Sequence, residues 1–204
     1  AFALETTDWV FWGDQVCVPA LTRGIDMSVL FGDALAPGSG AASLSKQRIV
    51  TGTHGTASRL PHATGLAWAA RADQVAVLCE LGDAAVTDGD FHVGVNFAAV
   101  MRAPVVFVVR TEAESGFVAE RAEGYGIRAM HIDSLDADAV RRKVAAALNH
   151  ARAGEGPTLI EAKVQRKDHD LSHIAPAHEE AIESAIAMAL SICLLYTSDA
   201  ADEV

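Results

Sequence analysis

Asp83 is the residue whose type and setting point most directly to chemistry. It follows Gly82 in a turn between two short apolar runs, Val75–Leu81 and Val105–Val109, both rich in β-branched residues. Runs of this kind suit parallel strands covered on both faces. Between them, Asp88-Gly89-Asp90 leads into a helix whose apolar spacing passes through Phe91, Val95, Ala98 and Ala99. A strand, turn, helix and strand in this order place the turn at the carboxyl edge of a parallel sheet, where α/β proteins take phosphorylated ligands. A carboxylate is a poor partner for phosphate unless a divalent cation lies between them. The pattern predicts a metal-bridged phosphate site at Gly82-Asp83. The plainer alternative is a turn aspartate that caps the next segment.

The elements that must position this turn can be followed along the chain. Residues 1–31 read as a helical leading segment, with Trp9, Phe11 and Trp12 available to pack on a neighbour. Residues 34–45 are rich in Gly, Ala, Ser and Pro and read as a loop; Thr51–Pro61 reads as a second, polar one. An alanine-rich helix is expected from His62 to Arg71. Beyond the central strand, helix and strand come a short helix at Phe117–Tyr125 closed by Gly126 and a strand at Arg128–Ile132. A helix at Asp136–Ala153 has an acid at its start and Arg152-Ala153-Gly154 at its end, as dipole and capping rules favour. Thr158–Val164 reads as a last strand. The predicted fold class is α/β, a doubly wound parallel sheet with right-handed crossovers and no internal repeat. One domain over 1–190 is expected, with a leading segment 1–31 and a sheet core near 49–165.

Composition narrows the function classes. At 204 residues the chain suits one domain with a real core. Half of it is hydrophobic, yet no uncharged apolar run is long enough to predict a membrane span. A formal charge of −11 without a basic cluster argues against nucleic-acid binding. Cys17, Cys79 and Cys193 have no metal-like spacing, and Cys79 reads as a small buried thiol in a strand. A reducing cytoplasm fits this usage. The opening residues lack a signal-peptide pattern, and the missing initiator methionine suggests a fragment or a trimmed chain. The run Cys193–Glu203 resembles translated sequencing-adapter read-through, so residues 191–204 are expected to be a non-native tail.

The same residues carry a family resemblance. Gly82-Asp83-Ala84-Ala85, Asp88-Gly89-Asp90-Phe91-His92, Asn96-Phe97-Ala98-Ala99 and Ala103-Pro104-Val105-Val106-Phe107 resemble the alpha subunit of the thiamine-diphosphate-dependent 2-oxo acid dehydrogenases, of the branched-chain (2-oxoisovalerate) type. The likeness extends from Asp8-Trp9-Val10-Phe11 through Leu60-Pro61-His62-Ala63 to Gly154–Glu161. It implies the diphosphate-binding half of a thiamine-diphosphate-binding fold. It also implies an oxidoreductase that decarboxylates a 2-oxo acid, branched-chain or pyruvate, and passes the acyl group to a lipoyl domain. Thiamine diphosphate and magnesium would be its cofactors. Asp83 would hold the metal, with Glu112 and Glu114 at the other ligand positions and Glu114 using its backbone carbonyl. Gly82, Ala84 and Ala85 would form the turn against the cofactor, and Arg110 would hold its diphosphate. Thr56 would make a backbone contact near the aminopyrimidine and thiazolium rings. His169, three residues beyond Arg166, would assist acylation of the lipoyl group. His62 reads as a packing or capping residue.

The resemblance further implies partners. A beta subunit supplies the glutamate that deprotonates the aminopyrimidine, in a cytoplasmic heterotetramer that meets a lipoyl-bearing acyltransferase. The helix around Gly94–Met101 is a candidate subunit contact, or equally a buried internal helix. Departures from the family pattern open other readings. Ala84 stands at the third position of Gly-Asp-Gly, and Arg110-Thr111-Glu112 replaces Arg-Asn-Asn, so Glu112 is either an altered ligand or a sign of decay. Asp14-Gln15 falls where the family has Tyr-Arg, and Arg59 is a candidate replacement cation. The loop after Arg166 lacks the usual His-Ser-x-Ser-Asp. A degenerate, non-catalytic homologue acting in scaffolding or assembly is the alternative. A transketolase-like half-protein is a third reading, for which more basic residues would be expected.

Overall fold

The computed structural model describes residues 3–13, 17–30, 40–50, 57–112, 118–133, 136–164 and 187. The chain divides into two compact units, Ala1–Val16 with Arg48–Arg166, and Cys17–Gln47 with Lys167–Val204. Among the described residues, the second unit contains helices α1 (Cys17–Thr22) and α2 (Ala41–Lys46) and a helical stretch at 27–30. The proposed tail at 191–204 lies outside the described residues.

Among the described residues, the first unit carries six parallel strands: β1 (Trp9–Phe11), β2 (Ile49–Val50), β3 (Val77–Gly82), β4 (Val105–Glu112), β5 (Arg128–Asp133) and β6 (Thr158–Val164). Their order is β2-β1-β3-β4-β6-β5. Its helices are α3 (Arg59–Ala70), α4 (Gly89–Met101), α5 (Val118–Gly124) and α6 (Ala137–Arg152). Because side chains alternate along a strand, each central strand feeds two cores. Val77, Cys79, Leu81, Val105, Phe107 and Val109 join α3, α4 and α5 on one face. Leu78, Val106 and Ile160 join Val144, Ala147, Leu148 and Ala151 of α6 on the other. Covering on both faces is the reason the strands read as unbroken apolar runs. The doubly wound α/β expectation is correct.

Local signals explain the element ends. The Asp88 side chain accepts from the Asp90 N–H at 3.1 Å to cap α4, and Asp136 accepts from the Ala139 N–H at 2.8 Å to cap α6. Gly154, with φ +73°, turns the chain out of α6 in a conformation that only glycine adopts cheaply.

Two expectations need correction. Trp9–Phe11 is a strand rather than part of a helix, held by pairing with β2 on one side and β3 on the other. Three residues are too few to show a period, so tertiary pairing decides their state. The aromatic residues pack within their own unit. Phe11 is buried, Trp9 and Trp12 are half-buried, and the Arg48 guanidinium lies 5.4 Å from the centroid of Trp9. Residues 41–45 of the expected loop belong to α2, which runs on to Lys46, with Leu44 buried.

One buried ion pair ties the amino-terminal strand into the sheet. Asp8 is fully buried and accepts from the Ala76 N–H at 3.1 Å, the Glu5 N–H at 2.8 Å and two guanidinium nitrogens of Arg152. Burial alone would lower the pKa of Arg152, but the hydrogen bond and charge of Asp8, with Glu5 beside it, raise it instead.

Candidate functional site

β3 ends at Gly82, and Asp83 opens a single 3-10 turn, Asp83–Thr87, that runs into the Asp88 cap of α4. Gly82 pairs in register with Arg110 on β4. Gly82, Asp83, Ala84 and Arg110 therefore meet at the carboxyl edge of the two central strands, as the crossover argument requires. Asp83 is half-buried and Ala84 exposed. Among the described residues, no atom beyond its chain neighbours lies within 4 Å of where a Cβ on Gly82 would project, so their packing does not demand glycine there. Ala85 is fully buried in the α3–α5 core, which leaves only its backbone to face a ligand.

Beneath this edge lies a charged cluster centred on Glu80. Its side chain is only 4% exposed, and Arg110, whose side chain is half exposed, donates from Nε to its Oε1. Glu80 Oε2 accepts from the Gly13 N–H at 3.0 Å, just past the end of β1. The buried Arg59, at the start of α3, donates from Nη1 to the Glu80 carbonyl at 3.3 Å. Its Nε is buried without a hydrogen-bond partner among the described residues. A Cβ on Gly13 would lie 2.7 Å from Glu80 Oε2 and 3.0 Å from Arg59 Nη1, so the missing side chain is what lets these groups crowd together. Two guanidiniums and one carboxylate leave the cluster one positive charge. The neighbouring Cys79 thiol is pushed well above its ordinary range, chiefly by burial, with Arg59 opposing and Glu80 adding to the rise.

Sequence reasoning singled out Arg59 and Arg110 but passed over Glu80. The available signal was a lone acid inside the apolar run VAVLCELG, because a buried charge must have partners. Other expected residues are not reached: Thr56, Glu114, His169 and Asp14-Gln15 lie outside the described residues. The Glu112 backbone pairs with Val164 at the end of β4, and its side chain lies outside the description. His62 sits in the first turn of α3 with Nδ1 2.8 Å from the Ser58 carbonyl, a local packing role.

A second group of potential ligands consists of Glu120, His131 and Glu161, whose ligand atoms lie within 4.8 Å of one another. Glu161 already accepts from the Ala119 N–H at 2.9 Å and the Thr111 hydroxyl at 3.3 Å. His131 turns Nδ1 to Glu161 at 3.6 Å and Nε2 to Glu120 at 3.9 Å, so its two nitrogens face different carboxylates.

Comparison with known proteins gives this edge a family context. Residues 1–173 match the family model described as the dehydrogenase E1 component. The 2-oxoisovalerate dehydrogenase subunit alpha of Bacillus subtilis is 35% identical, over 64% of this chain and 46% of that protein. The mitochondrial subunit alpha of the same name from Mus musculus is 31% identical, over 83% of this chain and 43% of that protein. The 3-methyl-2-oxobutanoate dehydrogenase subunit alpha of Mycobacterium tuberculosis is 32% identical, over 81% and 49% respectively. The chain thus spans less than half the length of these curated relatives. Among solved structures, the benzoylformate decarboxylase of Polynucleobacter necessarius shares the fold with a TM-score of 0.53 at 12% identity, over 81% of this chain and 32% of that one. With a family match across most of its length and alpha-subunit relatives above 30% identity, the chain belongs to the dehydrogenase E1 component family.

Proposed function

We propose that the protein is the alpha subunit of a branched-chain 2-oxo acid dehydrogenase, working on thiamine diphosphate and magnesium together with a beta subunit. The observation that carries this reading is the meeting of Asp83 and Arg110 at one carboxyl edge, set by the Gly82–Arg110 register. The donor set fits the cofactor's anionic end. Asp83 offers the hard oxygen magnesium prefers, and guanidiniums match phosphate oxygens. The unpartnered Nε of Arg59 adds a buried donor to the same cluster.

In this reading Asp83 holds the metal, with Glu112 and the Glu114 carbonyl as further ligands, and Arg110 holds the diphosphate. Gly82 and Ala84 admit the ligand close to the backbone, Ala85 contributes through its backbone, and Thr56 contacts the ring end. His169 serves acyl transfer to a lipoyl-bearing acyltransferase. When bound, the cofactor supplies the nucleophilic carbon and the electron sink that decarboxylation of the 2-oxo acid needs. The glutamate that activates it comes from the beta subunit. An exposed apolar stripe on α4, with Val93, Phe97 49% exposed and Val100 74% exposed, supports a partner chain. Within the described residues no helix is long and apolar enough to cross a membrane. We place the heteromer in the cytoplasm.

A second reading, a homologue that keeps the fold for assembly but has lost catalysis, is favoured by one observation: Arg110 is already engaged by Glu80. Co-expression with a beta subunit, followed by a decarboxylase assay on 2-oxoisovalerate with thiamine diphosphate and magnesium, separates the two. Carbon dioxide release coupled to an artificial electron acceptor is expected. A stable heteromer with no turnover would establish the scaffold instead.

A further inference from the structure

We propose that Glu80 is an internal stand-in for phosphate and sets how tightly this edge takes a diphosphate group. The inference rests on the cofactor reading above and concerns a residue which that reading does not use. Glu80 projects from inside a strand and is nearly buried, yet its carboxylate gathers the donors a bound phosphate would call on. Arg110 Nε donates to one oxygen and the Gly13 N–H to the other at 3.0 Å, while Arg59 Nη1 borders the same small space beside Gly13. Carboxylate and phosphate oxygens accept the same guanidinium and backbone donors, so the two anions compete for one set of groups.

The competition is lopsided. Arg110 has a half-exposed side chain and can turn toward the strand ends, whereas Glu80 is held in the sheet and cannot follow it. A ligand that recruits Arg110 leaves a buried carboxylate with the Gly13 N–H but without its cation, and such a charge is costly. It also meets a cluster with one net positive charge where two free guanidiniums would offer two. Glu80 therefore lowers diphosphate affinity. Glu80→Gln keeps the shape and an oxygen for Gly13, removes the charge, and frees Arg110.

The test is calorimetry on the full chain co-expressed with its beta subunit, titrated with inorganic pyrophosphate and with thiamine diphosphate, each with magnesium. Glu80→Gln is expected to bind at least about tenfold tighter than the natural chain, since a unit charge at close range is worth more than that even when partly screened. Glu155→Gln is the control. It removes the same charge ahead of β6, at the opposite edge, and is expected to shift affinity by less than about twofold. Should Glu80→Gln lose its folded circular-dichroism spectrum, Glu80→Asp draws the carboxylate back from Arg110, and tighter binding is again expected. Unchanged or weaker binding by the Glu80 variants, or an equal gain in Glu155→Gln, overturns the role of Glu80 and leaves the cofactor reading standing. No binding by any of the proteins removes the cofactor reading, and the inference with it.

Discussion

Gly94→Ala and Gly65→Ala make the same chemical change on neighbouring helices and should have opposite effects. In α4, a Cβ at Gly94 would lie 2.5 Å from Leu60 Cβ, 2.9 Å from the Leu60 carbonyl carbon and 3.0 Å from Pro61 N. Carbon atoms at rest prefer separations of roughly 3.5–4.0 Å, so α3 and α4 must move apart by about an ångström. The obstructing atoms belong to backbone and Cβ, so no rotamer change relieves the clash. Separation also strains the buried hydrogen bond from the Thr64 hydroxyl to the Gly94 carbonyl, now 3.1 Å. Overpacking of this kind costs about 1–3 kcal/mol, more where rigid atoms collide, against a gain of about 1 kcal/mol in helix propensity from replacing glycine. Rigid atoms collide here, so the upper part of that range, about 2–3 kcal/mol, applies, and the expected net loss for Gly94→Ala is about 1–2 kcal/mol. At Gly65 in α3 no atom of the described residues beyond the helix's own backbone lies within 4 Å of the new methyl, so the propensity gain stands alone and stability rises by up to about 1 kcal/mol. Urea unfolding at 25 °C followed by far-UV circular dichroism measures both. Equal midpoints for the two variants would refute the close approach of α3 and α4, and with it the rigid seating of the helix that leads out of the Asp83 turn.

Other consequences can be checked independently. Asp8→Ala takes from Arg152 its buried partner, leaving it Glu5 at 3.3 Å and Asn149 at 2.7 Å, and removes the acceptor of the Ala76 and Glu5 N–H groups, so urea unfolding should show a loss of about 3 kcal/mol. Gly13→Ala would push the Glu80 carboxylate off its backbone donor. A loss of about 1 kcal/mol in the same assay is expected, and no loss would contradict the contact. Cys79 is buried and its thiol titrates above the ordinary range, so an alkylating reagent at pH 8 should label it only after denaturant is added. Rapid labelling of Cys79 in the native protein, located by peptide mass, would argue against this packing.

The parts of the fold legible in the sequence are those with enough residues to show a pattern. Val105–Glu112 and Thr158–Val164 announce themselves through β-branched residues, Val77–Gly82 through its apolar run, and α6 through its Asp136 cap and basic end. Trp9–Phe11 is legible only through its neighbours, because β3 supplies the pairing that makes it a strand. Residues 41–46 are dominated by Ala and Ser, whose composition suits loop and helix alike. At the site, Asp83 could be singled out in advance by turn position and residue type, and Arg110 through the family resemblance. Glu80 could not, since its importance comes from partners 67 and 30 positions away in the chain, Gly13 and Arg110, which only the sheet order brings together.

The central claim is that Asp83 grips a divalent ion bridging to a diphosphate, and magnesium dependence tests it most directly. Calorimetry of the chain co-expressed with its beta subunit, titrated with thiamine diphosphate, should show binding with magnesium that vanishes on chelation and is lost in Asp83→Ala. Binding of equal strength without magnesium, or unchanged in Asp83→Ala, would contradict a metal-bridged site at the end of β3.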